Sequence, residues 1–203
     1  KNPMYAIYGF VKILKEDFRN LSVDKIGEMA DMLEQSAKGV VGLLENLLTW
    51  SRSQSGKVTY VPEKIDLFSI AQETILILKM NAENKRLKLN NNIPENAFAF
   101  ADKNMVTTVI RNLINNAIKF TNTGSVVVTL EEETLNNVNY AVIKVADTGI
   151  GIKSENLTNI FDEFRQVSEG LDRSHEGTGL GLTICKKYIQ MINGSISVDS
   201  SYG

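Results

Sequence analysis

Apolar positions change their period several times along the chain, and each change marks an element. Over residues 4–18, Ile7, Phe10, Val11, Leu14 and Phe18 recur at helical spacing, which predicts an amphipathic helix. Pro3 fits only in its first turn or at a kink. After a polar break at residues 20–24, a longer helix is predicted to about Ser53. It carries Ile26, Leu33, Val40 and Leu47 at intervals of seven, interleaved with Ala30, Ala37, Leu44 and Ser51 at the same interval. This is a coiled-coil-like seam. A two-helix hairpin cannot bury such a stripe alone, so it either packs on the rest of its own chain or pairs with a second copy in a four-helix bundle. A homodimer through the hairpin is the expectation.

A polar stretch at residues 53–57, followed by an extended one at 58–63, divides 1–59 from 60–203. In the second part helices and strands alternate. Asp66 reads as the N-cap of a helix to about Lys85, with Ile70, Thr74, Ile77 and Leu78 inward. Residues 87–93 and 97–101 read as short strands. Asp102 caps another helix, with Met105, Val109, Leu113, Ala117 and Phe120 on one face. Residues 125–133 and 139–146 form a hairpin, residues 183–192 a helix and 194–199 a last strand. The fold class is α+β: an antiparallel helical hairpin followed by an α/β sandwich, a mixed sheet covered by helices on one face.

Composition narrows the class. The chain has 203 residues, 43% hydrophobic and 23% charged, with net charge -2. No long basic stripe suggests nucleic acid or an anionic membrane surface as a partner. No apolar run approaches the roughly 20 residues of a membrane span, so no membrane contact is expected of this stretch, and its character is cytoplasmic. The single cysteine, Cys185, sits in an apolar helical pattern and reads as a buried thiol.

Candidate chemistry gathers in three places. Tyr140-Ala-Val-Ile-Lys-Val-Ala146 is a β-branched run ending at a carboxylate, Asp147, followed by Thr-Gly-Ile-Gly151. Gly177-Thr-Gly-Leu-Gly181 leads directly into a helix, whose N-terminal amides favour phosphate. In the helix after Asp102, Asn112, Asn116 and Lys119 stand at i, i+4 and i+7 and project from one side. An Asn oxygen suits Mg²⁺ where phosphates supply the negative charge, and a Lys can neutralise the same phosphates. Taken alone, the three could equally be the solvated side of an amphipathic helix. Walker A, the dinucleotide Gly-x-Gly-x-x-Gly and the protein-kinase signatures do not match.

These motifs resemble, in order, the N box (Asn112-Leu-Ile-Asn-Asn-Ala-Ile-Lys-Phe120), G1 box (147–151), F box (Phe161-Asp-Glu-Phe164) and G2 box (177–181) of the sensor histidine kinases of two-component signalling. Their ATPase domain has the Bergerat fold shared with gyrase B and MutL. The resemblance implies ATP and Mg²⁺ as cofactors, with Asn116 on the metal and Asn112 and Lys119 at the triphosphate. Asp147 would accept from the adenine amino group, and Gly149 and Gly151 would let the backbone close on the base. The amides of Gly177, Thr178, Gly179, Leu180 and Gly181 would meet the phosphates. Residues 165–176 would form a lid with Arg173 as a phosphate contact, and Phe161 and Phe164 would anchor its base unless they are plain core aromatics. Lys1-Asn2-Pro3 fits the third to fifth positions after the phosphoacceptor histidine in the family's motif, which would put that histidine three residues before Lys1. Asn2 would then orient water in dephosphorylation, a helix cap or surface position being the other reading.

His175, the only histidine here, falls in the lid and reads as a solvated loop residue. The implied partner is a response-regulator receiver domain, and the whole protein could be anchored in an inner membrane. By the same resemblance the ATP-binding domain is expected to lack its last strand. A gyrase-like ATPase clamp and a non-catalytic dimerisation module are the alternatives. The hairpin argues against the first, the intact boxes against the second.

Overall fold

The computed structural model describes residues 3–54, 58–163, 165 and 179–202 of the chain. The chain divides into two compact units, 1–52 and 53–203.

The first unit is helical. Helix α1 (Pro3–Asp17) opens on a proline, which lacks the N–H that a first turn leaves unpaired. A single 3₁₀ turn, Phe18–Asn20, leads to α2 (Val23–Gln54). On α2, Ile26, Leu33 and Val40 of the seven-residue seam are half-buried and Met29 is buried. Val41, Leu44 and Leu48, one turn apart on one side, are largely exposed, Leu48 at 57%.

The second unit begins with β1 (Glu63–Asp66), α3 (Leu67–Asn84), β2 (Lys88–Asn92), β3 (Phe98–Ala101) and α4 (Lys103–Phe120). It continues with β4 (Ser125–Leu135), β5 (Val138–Asp147), the one-turn α5 (Ser154–Leu157) and α6 (Gly181–Met191). Among the described residues the strands form two sheets. β1 pairs antiparallel with β3. β2 runs parallel to β4, and β4 antiparallel to β5, which makes the mixed sheet in the order β2-β4-β5. Helices α3 and α4 pack on that sheet and on each other, and α6 packs on α4.

Local chemistry explains the element ends. Asp66 accepts from the Ser69 N–H and hydroxyl (3.2 and 2.7 Å), and these bonds hold its carboxyl below the usual range. Asp102 caps α4 through Met105 N–H at 3.0 Å and takes Val61 N–H at 3.0 Å with its other oxygen. At the far end of α3, Arg86 turns left-handed (φ 57°), its N–H bonds Glu83 O and Leu87 N–H bonds Ala82 O. These two bonds are the Schellman pattern. The β4–β5 hairpin closes over two left-handed residues, Asn136 and Asn137 (φ 51° and 63°). That is the type I′ geometry which matches strand twist.

The core is one cluster: Leu67, Ile70, Ala71, Ile75 and Leu78 from α3, Ile110, Ile114 and Ile118 from α4, and Val126 and Val128 from β4. Two expectations are corrected. Ile77 is 73% exposed and Ile75 is buried instead, because the inward stripe of α3 centres on Ala71, Thr74 and Leu78 and leaves Ile77 beyond its edge. Residues 194–199 alternate in exposure as a strand would, yet join no ladder among the described residues. Ser200 Oγ instead accepts from Ile152 N–H at 2.9 Å.

Candidate functional site

The site is organised by α4, which is buried along two stripes because the sheet and α3 lie on one side and α6 on the other. Asn112, Asn116 and Lys119 emerge half-buried from the remaining side. Asn112 faces the first turn of α6: a Cβ on Gly181 would sit 3.3 Å from Asn112 Oδ1. One turn on, Cys185 is buried with Sγ 3.9 Å from Val109 O. Burial pushes its thiol up to about 12, although a hydrogen bond with Asn112 works the other way. Among the described residues the Asn116 carboxamide takes no hydrogen bond, and Lys119 Nζ lies 4.7 Å from the Phe120 ring centroid.

At the C-terminus of α4 the chain meets the turn after β5. Asp147 is exposed, and its Oδ1 accepts from Gly149 N–H at 2.8 Å and from the Thr121 hydroxyl at 3.4 Å. Thr121 itself is fully buried. The Thr148 hydroxyl accepts from Ser125 N–H and donates to Thr123 O, both at 3.1 Å, tying the turn to the start of β4. Ile150 N–H donates to Phe120 O at 3.3 Å. Gly149 lies so close to α4 that a Cβ there would be 2.6 Å from Phe120 O. Gly151 (φ 68°) would place its Cβ 1.9 Å from Ser201 O.

The third element is the start of α6. Gly179 is left-handed (φ 70°), Leu180 is buried and Gly181 opens the helix. The Thr183 hydroxyl bridges to Phe161 O and Asp162 O at 3.3 and 3.2 Å, so the F-box backbone is tied to the first turn of α6. Phe161 is half-buried beside the buried Ile160. Asn2, Phe164, Arg173, His175, Gly177 and Thr178 lie outside the described residues.

The structure thus brings Asn112 to Gly181 and Asp147 to Gly149. It adds three threonines that sequence reasoning passed over: Thr121, Thr148 and Thr183. Each acts on backbone groups or a carboxylate far away in sequence, and no local pattern marks it. Among the described residues no three His, Cys, Asp or Glu side chains stand together as a metal cluster.

A mixed sheet backed by helices, with a carboxylate at a strand end and an Asn-bearing helix beside a glycine-opened helix, defines a nucleotide-binding ATPase fold. Residues 101–203 match the histidine kinase-, DNA gyrase B-, and HSP90-like ATPase family, and the chain belongs to it. It is 33% identical over 205 residues to the autoinducer 2 sensor kinase/phosphatase LuxQ of Vibrio cholerae, a match that takes in 100% of this chain and 24% of LuxQ. The chain spans about a quarter of the length of the curated relatives it matches. In fold it is similar to full-length ShkA in complex with AMPPNP, with TM-score 0.71 and 20% identity over 100% of this chain and 41% of ShkA. It is also similar to histidine kinase ThkA in complex with the response regulator protein TrrA, with TM-score 0.66 and 18% identity over 95% of this chain and 52% of ThkA.

Proposed function

We propose that this chain is the ATP-dependent protein-histidine kinase core of a two-component sensor, with residues 1–59 as the dimerisation and phosphotransfer hairpin and 60–203 as the ATP-binding domain. The observation that carries the reading is the corner where β5 meets α4. Asp147 is oriented by Gly149 N–H and Thr121 Oγ1 on one oxygen. Among the described residues its other oxygen takes no hydrogen bond, so it can accept from an adenine amino group. Gly149, with no side chain, lets the turn pack flush against Phe120 O, which holds its N–H in place beside the carboxylate.

The residues fit ATP with Mg²⁺. Asn116 offers a neutral oxygen half-buried in the site, the ligand type Mg²⁺ accepts when phosphates bring the charge. The ion would neutralise and orient the phosphate oxygens. Lys119, one turn further along the same side of α4, adds a positive charge there. Asn112 stands between this side and Gly181, where the amides of 177–181, with Arg173, would face the triphosphate. Catalysis then rests on positioning and charge neutralisation. An imidazole nitrogen of the acceptor histidine attacks the γ-phosphorus, the bond to the β–γ bridging oxygen breaks, ADP leaves, and the imidazole gives up its N–H proton. The phosphoryl group then passes to an aspartate oxygen of a response-regulator receiver domain. In the reverse, phosphatase sense, Asn2 would orient the attacking water. A cytoplasmic location fits this dependence on ATP.

Homodimerisation is part of the reading, supported by the exposed Val41, Leu44 and Leu48 stripe on α2, a row of apolar side chains that a second copy would cover.

The test uses a chain extended through the predicted histidine, labelled ATP and Mg²⁺. Acid-labile, base-stable phosphate on the protein is expected, and Asp147→Asn should abolish it by weakening ATP binding. Label recovered only as free phosphate would favour the ATPase clamp.

A further inference from the structure

The carbonyls at the end of α4 need partners, because the last turn of a helix leaves them outside its own ladder. Ala117 O is taken by Thr121 N–H and Phe120 O by Ile150 N–H. The others converge on one side chain. Lys85 Nζ donates to Ile118 O at 2.9 Å, Lys119 O at 2.7 Å and Thr121 O at 3.3 Å. These contacts span 33 to 36 residues of sequence and are partly buried. An ammonium at this position also matches the negative end of the helix dipole.

The placement of Lys85 is itself constrained. It is the C-cap of α3, and its N–H bonds to Ala82 O. The next residue, Arg86, takes the left-handed conformation that glycine usually fills,. That turn sets the origin of the Lys85 side chain beside α4.

We propose that Lys85 is a positioning residue for base recognition, acting through α4 on Asp147; this rests on the reading of Asp147 as the adenine acceptor. Lys85 grips the carbonyls on both sides of Phe120, at Lys119 and Thr121. Phe120 O receives Ile150 N–H, and Gly149 packs against it. Thr121, whose carbonyl Lys85 holds, points its hydroxyl at Asp147 Oδ1. Lys85 therefore acts through backbone carbonyls, and it supports both groups that orient the carboxylate.

The test compares ATP with inosine triphosphate, which carries the same phosphates and ribose but lacks the amino group. Titration calorimetry with Mg²⁺ on the full chain gives the affinity ratio for wild type, Lys85→Met and Lys85→Arg, each checked as folded by circular dichroism. A site built around a hydrogen-bonded amino group discriminates strongly against the analogue. Lys85→Met is expected to shrink the ratio about tenfold by loosening a charge-assisted bond, mainly by weakening ATP. Lys85→Arg, which keeps the cation and its donors, should recover most of the ratio. Global destabilisation lowers the folded fraction without changing the ratio. If Lys85→Met does not fold, Lys85→Gln, a shorter neutral donor, takes its place with an intermediate ratio expected. A ratio unchanged from wild type in the Met or Gln variant overturns the role of Lys85, as does a loss in Lys85→Arg as large as in Lys85→Met. A wild-type chain that binds both nucleotides equally overturns the adenine reading and this inference with it.

Discussion

Gly149→Ala probes the site through a single methyl group. The new carbon would lie 2.6 Å from Phe120 O, 3.1 Å from Phe120 C and 2.6 Å from Asp147 Oδ1. Ordinary contact needs roughly 0.8 Å more than the shortest of these, judged from optimal non-bonded separations. Backbone strain is not the cause, since Gly149 is not among the residues with positive φ. Phe120 cannot easily yield, because the carbonyls on both sides of it are held by Lys85. Overpacking of this kind costs about 1–3 kcal/mol, partly offset by about 0.4–1 kcal/mol from a stiffer unfolded chain. A net loss of about 1–2 kcal/mol corresponds to a Tm lowered by roughly 3–6 °C for a chain of this size.

Binding should suffer more than folding. The methyl displaces Asp147 from its Gly149 N–H bond, and hydrogen bonds to a charged group contribute about 1.5–3 kcal/mol, or about 10- to 100-fold in affinity. Gly181→Ala is the control for stability: its Cβ would meet only the movable Asn112 side chain at 3.3 and 3.7 Å, so its Tm should stay within about 2 °C of the parent. Titration calorimetry with AMPPNP and Mg²⁺, beside thermal unfolding, measures both quantities. Gly149→Ala binding nucleotide as tightly as the parent, at an unchanged Tm, would refute the packing argument.

Asp102→Ala removes the acceptor of both Met105 N–H and Val61 N–H and should cost about 2 kcal/mol in urea unfolding; Asp102→Asn, with one oxygen, should lose about half as much, and equal losses would contradict the two-bond geometry. The Cys185 thiol is pushed up to about 12 by burial from an ordinary 9.0. The unfolded chain ionises first, so the contribution of Cys185 to stability is fully present below about pH 9 and lost as pH rises towards 12; Cys185→Ala should flatten that decline, and native alkylation by iodoacetamide should be slow. Leu44→Lys with Leu48→Lys places two charges on the exposed stripe of α2 and should convert a dimer to monomer in sedimentation, whereas a wild-type monomer at high micromolar concentration would sink the bundle. Asn116→Ala should remove the Mg²⁺-dependent part of ATP affinity while leaving Mg²⁺-free binding within about threefold; an unchanged Mg²⁺ dependence would move the metal elsewhere.

Helices were the most legible part of this fold. Asp66 and Asp102 announce their caps, and the 3.6-residue stripes are strong enough to set both helix bodies. Sheet organisation was harder to read. The pairing of β1 with β3 crosses α3 and β2 in sequence, so no local window contains it. The hairpin proved longer at its tip, because two asparagines accept left-handed backbone and allow Thr134 and Leu135 to stay in the ladder. Residues 194–199 show why alternation alone is insufficient: the side-chain period survives where the ladder does not form. At the site, glycines and the Asn side of α4 were visible because their spacing is local. Thr121, Thr148, Thr183 and Lys85 were not, because each serves a partner 21 or more residues away.

Helix α4 carries a consequence for how the chain can vary in length. Its N-cap Asp102 holds Val61 N–H, its middle abuts Gly181 through Asn112, and its end receives Lys85 and the Gly149 turn. Inserting or deleting one residue anywhere between Asp102 and Thr121 rotates one end by about 100° against the other, and at least one of these three attachments is lost. The β4–β5 hairpin beyond Glu131 is exposed at its tip, and removing or adding residues in cross-strand pairs leaves the alternation intact. Length variation among chains of this architecture should therefore collect at the hairpin tip and be purged from α4, whatever substitutions either segment accepts.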